Sequence, residues 1–204
     1  MKAKNSSFDY FTIKGIPELR LRVELLKKRL KILSGKRRVN ILDIGVGPGD
    51  VTIMLVKNFK NITCVDPDKK NKKLVLDRII RRKLALPVFI SSKIEDATLP
   101  EKSFDHIILQ NMLEHLSDPV GILDNLKKSL TNRGCIHISV PLSGSLHRWL
   151  GVEMGLIKKV DDLAKTDRDY EHYRVYSLPR LRKDIIKSGL KISYELPIYL
   201  KPFP

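Results

Sequence analysis

The chain has 204 residues, 42% of them hydrophobic, which suits one α/β domain with its own core, so a second domain is not expected. Net charge is +16, from 39 Lys and Arg against 23 Asp and Glu, so an acidic partner such as nucleic acid or an anionic glycan is the first class to weigh. The basic residues are spread over 27–31, 36–38, 69–73, 78–83 and 182–191 with few aromatics between them; solvated helix faces explain most of them, and nucleic acid is not the favoured partner.

No apolar run approaches a membrane span, and the opening MKAKNSSFDYF lacks the apolar stretch of a signal peptide, so a cytoplasmic location is expected. Phe8, Tyr10 and Phe11 form a small aromatic cluster, readable as a lid over a ligand pocket or as a hydrophobic staple for the helix that follows. That helix, ending by Lys36, is marked by Leu19, Val23, Leu26, Leu30 and Leu33 at steps of four and three. Its apolar face should cover a sheet.

The stretch VNILDIGVGPGDVT, 39–52, reads as a buried strand running into a glycine turn that opens a helix. Val39, Ile41, Leu42 and Ile44 are its apolar run, and Asp43 is an acid inside it that needs a partner. Gly45, Gly47 and Gly49 free the backbone for positive φ and for close approach of a ligand. The order D-x-G-x-G-x-G differs from the dinucleotide pattern G-x-G-x-x-G, and Asp50 stands where the third dinucleotide glycine would fall, where it would repel a pyrophosphate. A second acid, Asp66, ends the next apolar strand at the distance suited to ribose hydroxyls. The expected ligand carries a ribose and no pyrophosphate.

At these residues the chain resembles the class I, Rossmann-like methyltransferases that use S-adenosylmethionine. The resemblance implies that Asp43 and the glycine turn hold the methionine end of the cofactor and that Asp66, with Pro67 beside it, takes the ribose. The segment 92–105, SKIEDATLPEKSFD, resembles the family's adenine-lining stretch. Lys93 departs from the usual acid there and cannot accept the adenine amine; Ile94 still offers an apolar face and an N–H, with Glu95 or Asp96 as substitute acids.

Between these segments a helix is expected over 67–83, with Leu74, Val75, Ile79 and Ile80 inward, then a strand at 87–90. The next strand, 105–109, leads into QNMLEHLSDP, which resembles the corresponding stretch of the type 11, ubiquinone-biosynthesis O-methyltransferase-like branch. Gln110 and Asn111, at the carboxyl end of that strand, are expected to bound the methionine amine and the transferring methyl. Glu114 and His115 read equally as an acid and base beside the acceptor or as a brace for the loop.

A helix over 119–130 is expected to stop at Asn132-Arg133-Gly134, with a strand at 135–140 carrying Cys135; it and Cys64 lack CxxC spacing and read as core residues. The stretch 142–176 is far longer than a minimal connection, and loops at this end carry function. It resembles segments of a group of bacterial and archaeal methyltransferases, with Leu142 in place of the usual Asn and Glu171 in place of the usual Gly. His147, Arg148, Tyr173, Arg174 and Tyr176 are the expected acceptor-binding residues, and His172, with His115, the expected catalytic one. The plainer readings are a helix-surface His147 and a His172 that pins insert to core. No pair of acids has metal spacing, so no metal is expected.

Ser177 should cap a last helix with Leu181, Ile185 and Ile186 inward and Gly189 as its stop, followed by a strand over 190–200. The resemblance calls for an antiparallel strand 7 after it, which leaves a shortened chain or a sheet lacking that strand as alternatives.

These readings combine into a doubly wound α/β fold, a mostly parallel sheet with helices on both faces, in one methyltransferase domain over 1–204. Its parts are an N-terminal helical cover (1–36), a cofactor-binding core (37–141), a substrate-side insert (142–176) and a last helix and strand (177–204). The implied activity is S-adenosylmethionine-dependent methylation of a hydroxyl, less readily an amine, on a small molecule or glycan. An RNA methyltransferase rests on charge alone, and Gln110-Asn111-Met112-Leu113 lacks the Asn-Pro-Pro-Tyr type signature for base amines. A non-catalytic module on the same scaffold is the alternative that Lys93 suggests.

Overall fold

The computed structural model describes residues 17–196. Its elements in chain order are α1 (Pro17–Ser34), β1 (Asn40–Ile44), α2 (Asp50–Asn58), β2 (Asn61–Val65), α3 (Lys69–Arg81), β3 (Val88–Ile90), β4 (Phe104–Gln110), α4 (Pro119–Ser129), β5 (Leu130–Ser139), α5 (Leu146–Glu153), α6 (Lys165–Asp169) and α7 (Leu178–Lys187), with a 3-10 turn at Leu113–His115. The strands form one parallel sheet in the order β3-β2-β1-β4-β5. The order reverses between β1 and β4, and in such sheets the crevice at the carboxyl ends beside the reversal receives ligands.

Alternation along the strands divides the core in two. Ile41 and Ile108 face one side, packed with Leu26 and Leu30 of α1, Ile53 and Leu55 of α2, and Val75 and Ile79 of α3. Leu42, Ile44, Ile107 and Leu109 face the other, against Leu123 and Leu126 of α4 and Leu181 and Ile185 of α7. Helices thus cover both faces, which is why β1 and β4 are apolar almost without interruption.

Four expectations are corrected. Ile80 is 59% exposed; the helix turns Val75 and Ile79 inward and carries Ile80 to solvent. Ile186 is likewise exposed, because α7 turns Leu181 and Ile185 to the core and the next residue away from it. Asn132-Arg133-Gly134 is not a stop: α4 ends at Ser129 and β5 starts at once, pairing Leu130 with Phe104 and resuming at Cys135 and His106 after an irregular step. Gly134 fits that step because a Cβ there would lie 2.9 Å from the Phe104 carbonyl. Residues 190–196 form no strand. The remainder of that expected strand and the Phe8, Tyr10 and Phe11 cluster lie outside the described residues.

The ends of the insert are pinned together by a parallel bridge between Leu142 and Tyr176 and by Ser143 N–H donating to the Tyr176 carbonyl at 2.8 Å. No helix among the described residues is long and apolar enough to cross a membrane.

Candidate active site

β1 delivers its chain directly into the glycine turn. Gly45 has φ 72°, and a Cβ there would sit 2.7 Å from Met112 Sδ, so the turn is closely fitted against the loop after β4. Gly49, with φ 89°, opens α2. Behind the turn, Asp43 is buried and accepts a hydrogen bond from Thr52 Oγ1 at 2.7 Å, the partner its sequence position demanded. Burial raises its pKa to about 6, against the Thr52 hydrogen bond and with a contribution from Asp66. Asp66, also buried, accepts from Asp68 N–H at 2.8 Å and Gly47 N–H at 3.3 Å, so the second acid and the glycine turn are in direct contact. Asp50 pairs with Arg78 at 2.7 Å.

At the end of β4, Asn111 holds a left-handed backbone, φ 49°, with its N–H on the Ser139 carbonyl at 2.9 Å. Its side-chain oxygen accepts from Arg22 of α1 at 2.9 Å, and Ser139 Oγ donates to Gln110 Oε1 at 2.9 Å. The sequence carried no signal for Arg22, because its role depends on where α1 docks.

A cavity of about 560 Å³ lies beside these loops, within the usual range for small-molecule sites. Gly45, Pro67, Lys93, Ile94 and Glu95 form one part of its wall; Met112, His115, His172 and Tyr173 form another. Asp43, Gly47, Gly49, Asp66, Gln110 and Asn111 are not part of that wall. Glu95, one of the two acids weighed as a replacement at the Lys93 position, shares the wall with it.

Several residues expected on the acceptor side meet at the 3-10 turn. Its Glu114 carboxylate is buried to 2% exposure, and neither oxygen has a hydrogen-bond partner among the described residues. Burial pushes this carboxyl up to about 7, against its own backbone N–H, which lies too far off line for a hydrogen bond of good geometry, and against the pull of Arg22. The rings of His115 and His172 meet edge to face with centroids 4.6 Å apart, and burial, then His172, lowers the His115 pKa. His172 Nδ1 lies 3.3 Å from Asp167 Oδ1, and Arg148 donates to Asp167 Oδ2 at 3.1 Å. Burial raises the Asp167 carboxyl, but the Ala164 N–H and Arg148 outweigh it and hold the group below its usual value. The sequence carries no signal for Asp167, since an acid in a polar segment has no pattern of its own.

The insert reaches the turn through Tyr173 N–H, which donates to the Glu114 carbonyl at 2.9 Å. Glu171, in place of the usual Gly, has φ 57°, a backbone glycine adopts freely. Three expected acceptor contacts are spent on the fold instead. Arg148 is buried and, besides Asp167, donates to the carbonyls of Val160 and Asp162. Arg174 donates to the carbonyls of Leu113, Leu116 and Ser117, bracing the 3-10 turn. Tyr176 is fully buried, with its hydroxyl donating to Asp184 at 3.2 Å. Of the remaining two, Tyr173 lines the cavity and half-buried His147 does not.

A parallel α/β sheet with a glycine turn after β1 and an acid after β2 defines a Rossmann-like nucleoside-binding class. The chain matches, over residues 42–138, the family model described as a methyltransferase domain. It is 26% identical over 164 residues to the ubiquinone biosynthesis O-methyltransferase of Pasteurella multocida, a match covering 75% of this chain and 65% of that protein. It is 23% identical over 118 residues to the (S)-coclaurine N-methyltransferase of Thalictrum flavum, covering 57% of this chain and 32% of that one. A solved S-adenosylmethionine-dependent methyltransferase of Leishmania major superposes with a TM-score of 0.66 at 21% identity, covering 90% of this chain and 68% of the other. The chain therefore spans less than two thirds of the length of the ubiquinone relative, and the structural likeness concerns the fold.

Proposed function

We infer that the chain methylates a hydroxyl on a small molecule or glycan, with S-adenosylmethionine as methyl donor. The observation that carries this is the shared cavity, where the glycine-turn residue Gly45 and the ring of His172 line one space. The cofactor supplies a methyl group activated on a sulfonium for direct displacement. The donor set suits it: Asp66 accepts the ribose hydroxyls, and Asp43 and the turn of Gly45, Gly47 and Gly49 hold the methionine end. Pro67 stands beside the ribose, Lys93 and Ile94 line the adenine side, and Gln110 and Asn111 bound the amine and the methyl.

Tyr173 contacts the acceptor, while His115 and His172 act where its hydroxyl loses a proton. An amine attacks through a lone pair it already has, whereas a hydroxyl gains from losing its proton, so a cluster of ionisable groups favours oxygen. The acceptor oxygen forms the new bond to the methyl carbon as the carbon–sulfur bond breaks, and the proton passes to solvent. Alignment in the cavity supplies much of the rate. The test is incubation of the full chain with methyl-labelled S-adenosylmethionine and hydroxylated aromatic and glycan acceptors. Label transferred to oxygen is expected; cofactor binding with no transfer to any acceptor favours the scaffold reading.

A further inference from the structure

We propose that Glu114, His115 and His172 hold a divalent transition-metal ion, of the zinc type, on the acceptor side of the cavity. The inference rests on the methyltransferase reading only for the ion's use in catalysis, not for its binding. One ligand atom from each of the three residues lies within 4.8 Å of the others. Two adjacent residues come from the 3-10 turn and the third from the insert, so the absence of metal spacing in the sequence is no guide here; Tyr173 N–H on the Glu114 carbonyl brings the two segments together.

Two independent features point to an ion. Glu114 is buried, and neither of its carboxylate oxygens has a side-chain or ordered partner among the described residues, a state that costs heavily unless a cation or donor meets it. Each histidine also has a partner of the kind that orients metal ligands: Asp167 holds His172 Nδ1 at 3.3 Å, and the Tyr170 backbone hydrogen-bonds the His115 ring. With Nδ1 so engaged, Nε2 of His172 is the nitrogen left for the metal. Arg148 in turn fixes Asp167 at 3.1 Å.

Two imidazoles and one carboxylate form a donor set that zinc and its neighbours accept, with a position left open for an exogenous oxygen. Zinc–ligand distances of about 2.0–2.2 Å put tetrahedral ligands roughly 3.3–3.6 Å apart, a contraction that side-chain rotation provides. His115 and His172 both line the cavity, so the open position faces the acceptor. A hydroxyl bound there becomes more acidic, as metal-bound water does, and releases its proton to solvent before methyl transfer.

The test is equilibrium dialysis of the tag-free full chain, stripped with a chelator, against zinc chloride, with metal counted by atomic emission and Co²⁺ absorption as a second readout. One zinc per chain is expected. Asp167→Asn should weaken binding about 10–100-fold. Glu114→Gln and His172→Ala should weaken it more, with folding checked by circular dichroism. A chain that takes up no zinc, or zinc bound equally by Glu114→Gln and His172→Ala, overturns the site. S-adenosylmethionine titrated into the metal-free chain separates the two readings: zinc bound without cofactor binding contradicts the methyltransferase reading alone, and cofactor bound without zinc contradicts the metal alone.

Discussion

Arg22 Nη1 donates to Asn111 Oδ1 over 2.9 Å, joining the N-terminal helix to the strained residue at the end of β4. The bond fixes the amide proposed to bound the methionine amine. A hydrogen bond to a charged group is worth about 1.5–3 kcal/mol, here partly offset because Arg22 Nε is buried without a hydrogen-bond partner among the described residues. Arg22→Ala should therefore weaken S-adenosylmethionine binding about tenfold, measured by calorimetry. An unchanged affinity would show that Asn111 needs no such support.

Asp43 makes stability depend on pH. Its folded pKa of about 6 lies above the ordinary 3.8, so the folded state holds the proton more tightly than the unfolded chain. That contribution is full below the unfolded value and is lost as pH rises through about 6. At 1.36 kcal/mol per unit, the loss is on the order of 3 kcal/mol. Urea unfolding of the wild type relative to Asp43→Asn should show this fall between about pH 4 and pH 7; parallel profiles would contradict the buried, protonatable carboxyl.

The glycine turn separates two effects. Gly45→Ala places a Cβ 2.7 Å from Met112 Sδ at φ 72°, whereas Gly47→Ala, at φ 49°, meets nothing within 4 Å. Gly47→Ala should cost only the left-handed backbone penalty, about 1–2 kcal/mol. Gly45→Ala should cost more and displace Met112 from the cavity wall. Equal losses in thermal unfolding would mean that the fit to Met112 is immaterial.

Tyr176→Phe removes only the hydroxyl that bonds Asp184. Stability should fall by about 0.5–1.5 kcal/mol, and cofactor and acceptor affinities should not change. A rise in acceptor KM at unchanged stability would return Tyr176 to the acceptor site.

The parts of this candidate site that are legible in the sequence are local. Asp43, Gly45, Gly47, Gly49 and Asp66 declare themselves because an apolar strand, a turn that needs glycine and an acid after the next strand are each written in neighbouring residues. Asn132-Arg133-Gly134 misled for the opposite reason: turn-type residues were drawn into β5 by pairing with β4, a tertiary effect that overrides local preference. Ile80 lies one residue past the buried Ile79, far enough around the helix to face solvent. Asp167, Arg148 and Arg22 escaped notice or took other roles because their partners lie in separate segments that only the fold brings together.

Asp66 and the glycine turn are proposed to form the cofactor site, with His172 on the acceptor side. Isothermal titration of S-adenosylmethionine into the full chain, Asp66→Ala and His172→Ala tests this arrangement most directly. Micromolar binding, roughly −8 kcal/mol, is predicted for the wild type and for His172→Ala. In Asp66→Ala the affinity should fall by about 1.5–3 kcal/mol. No heat with the full chain, or unchanged binding in Asp66→Ala, would contradict the account.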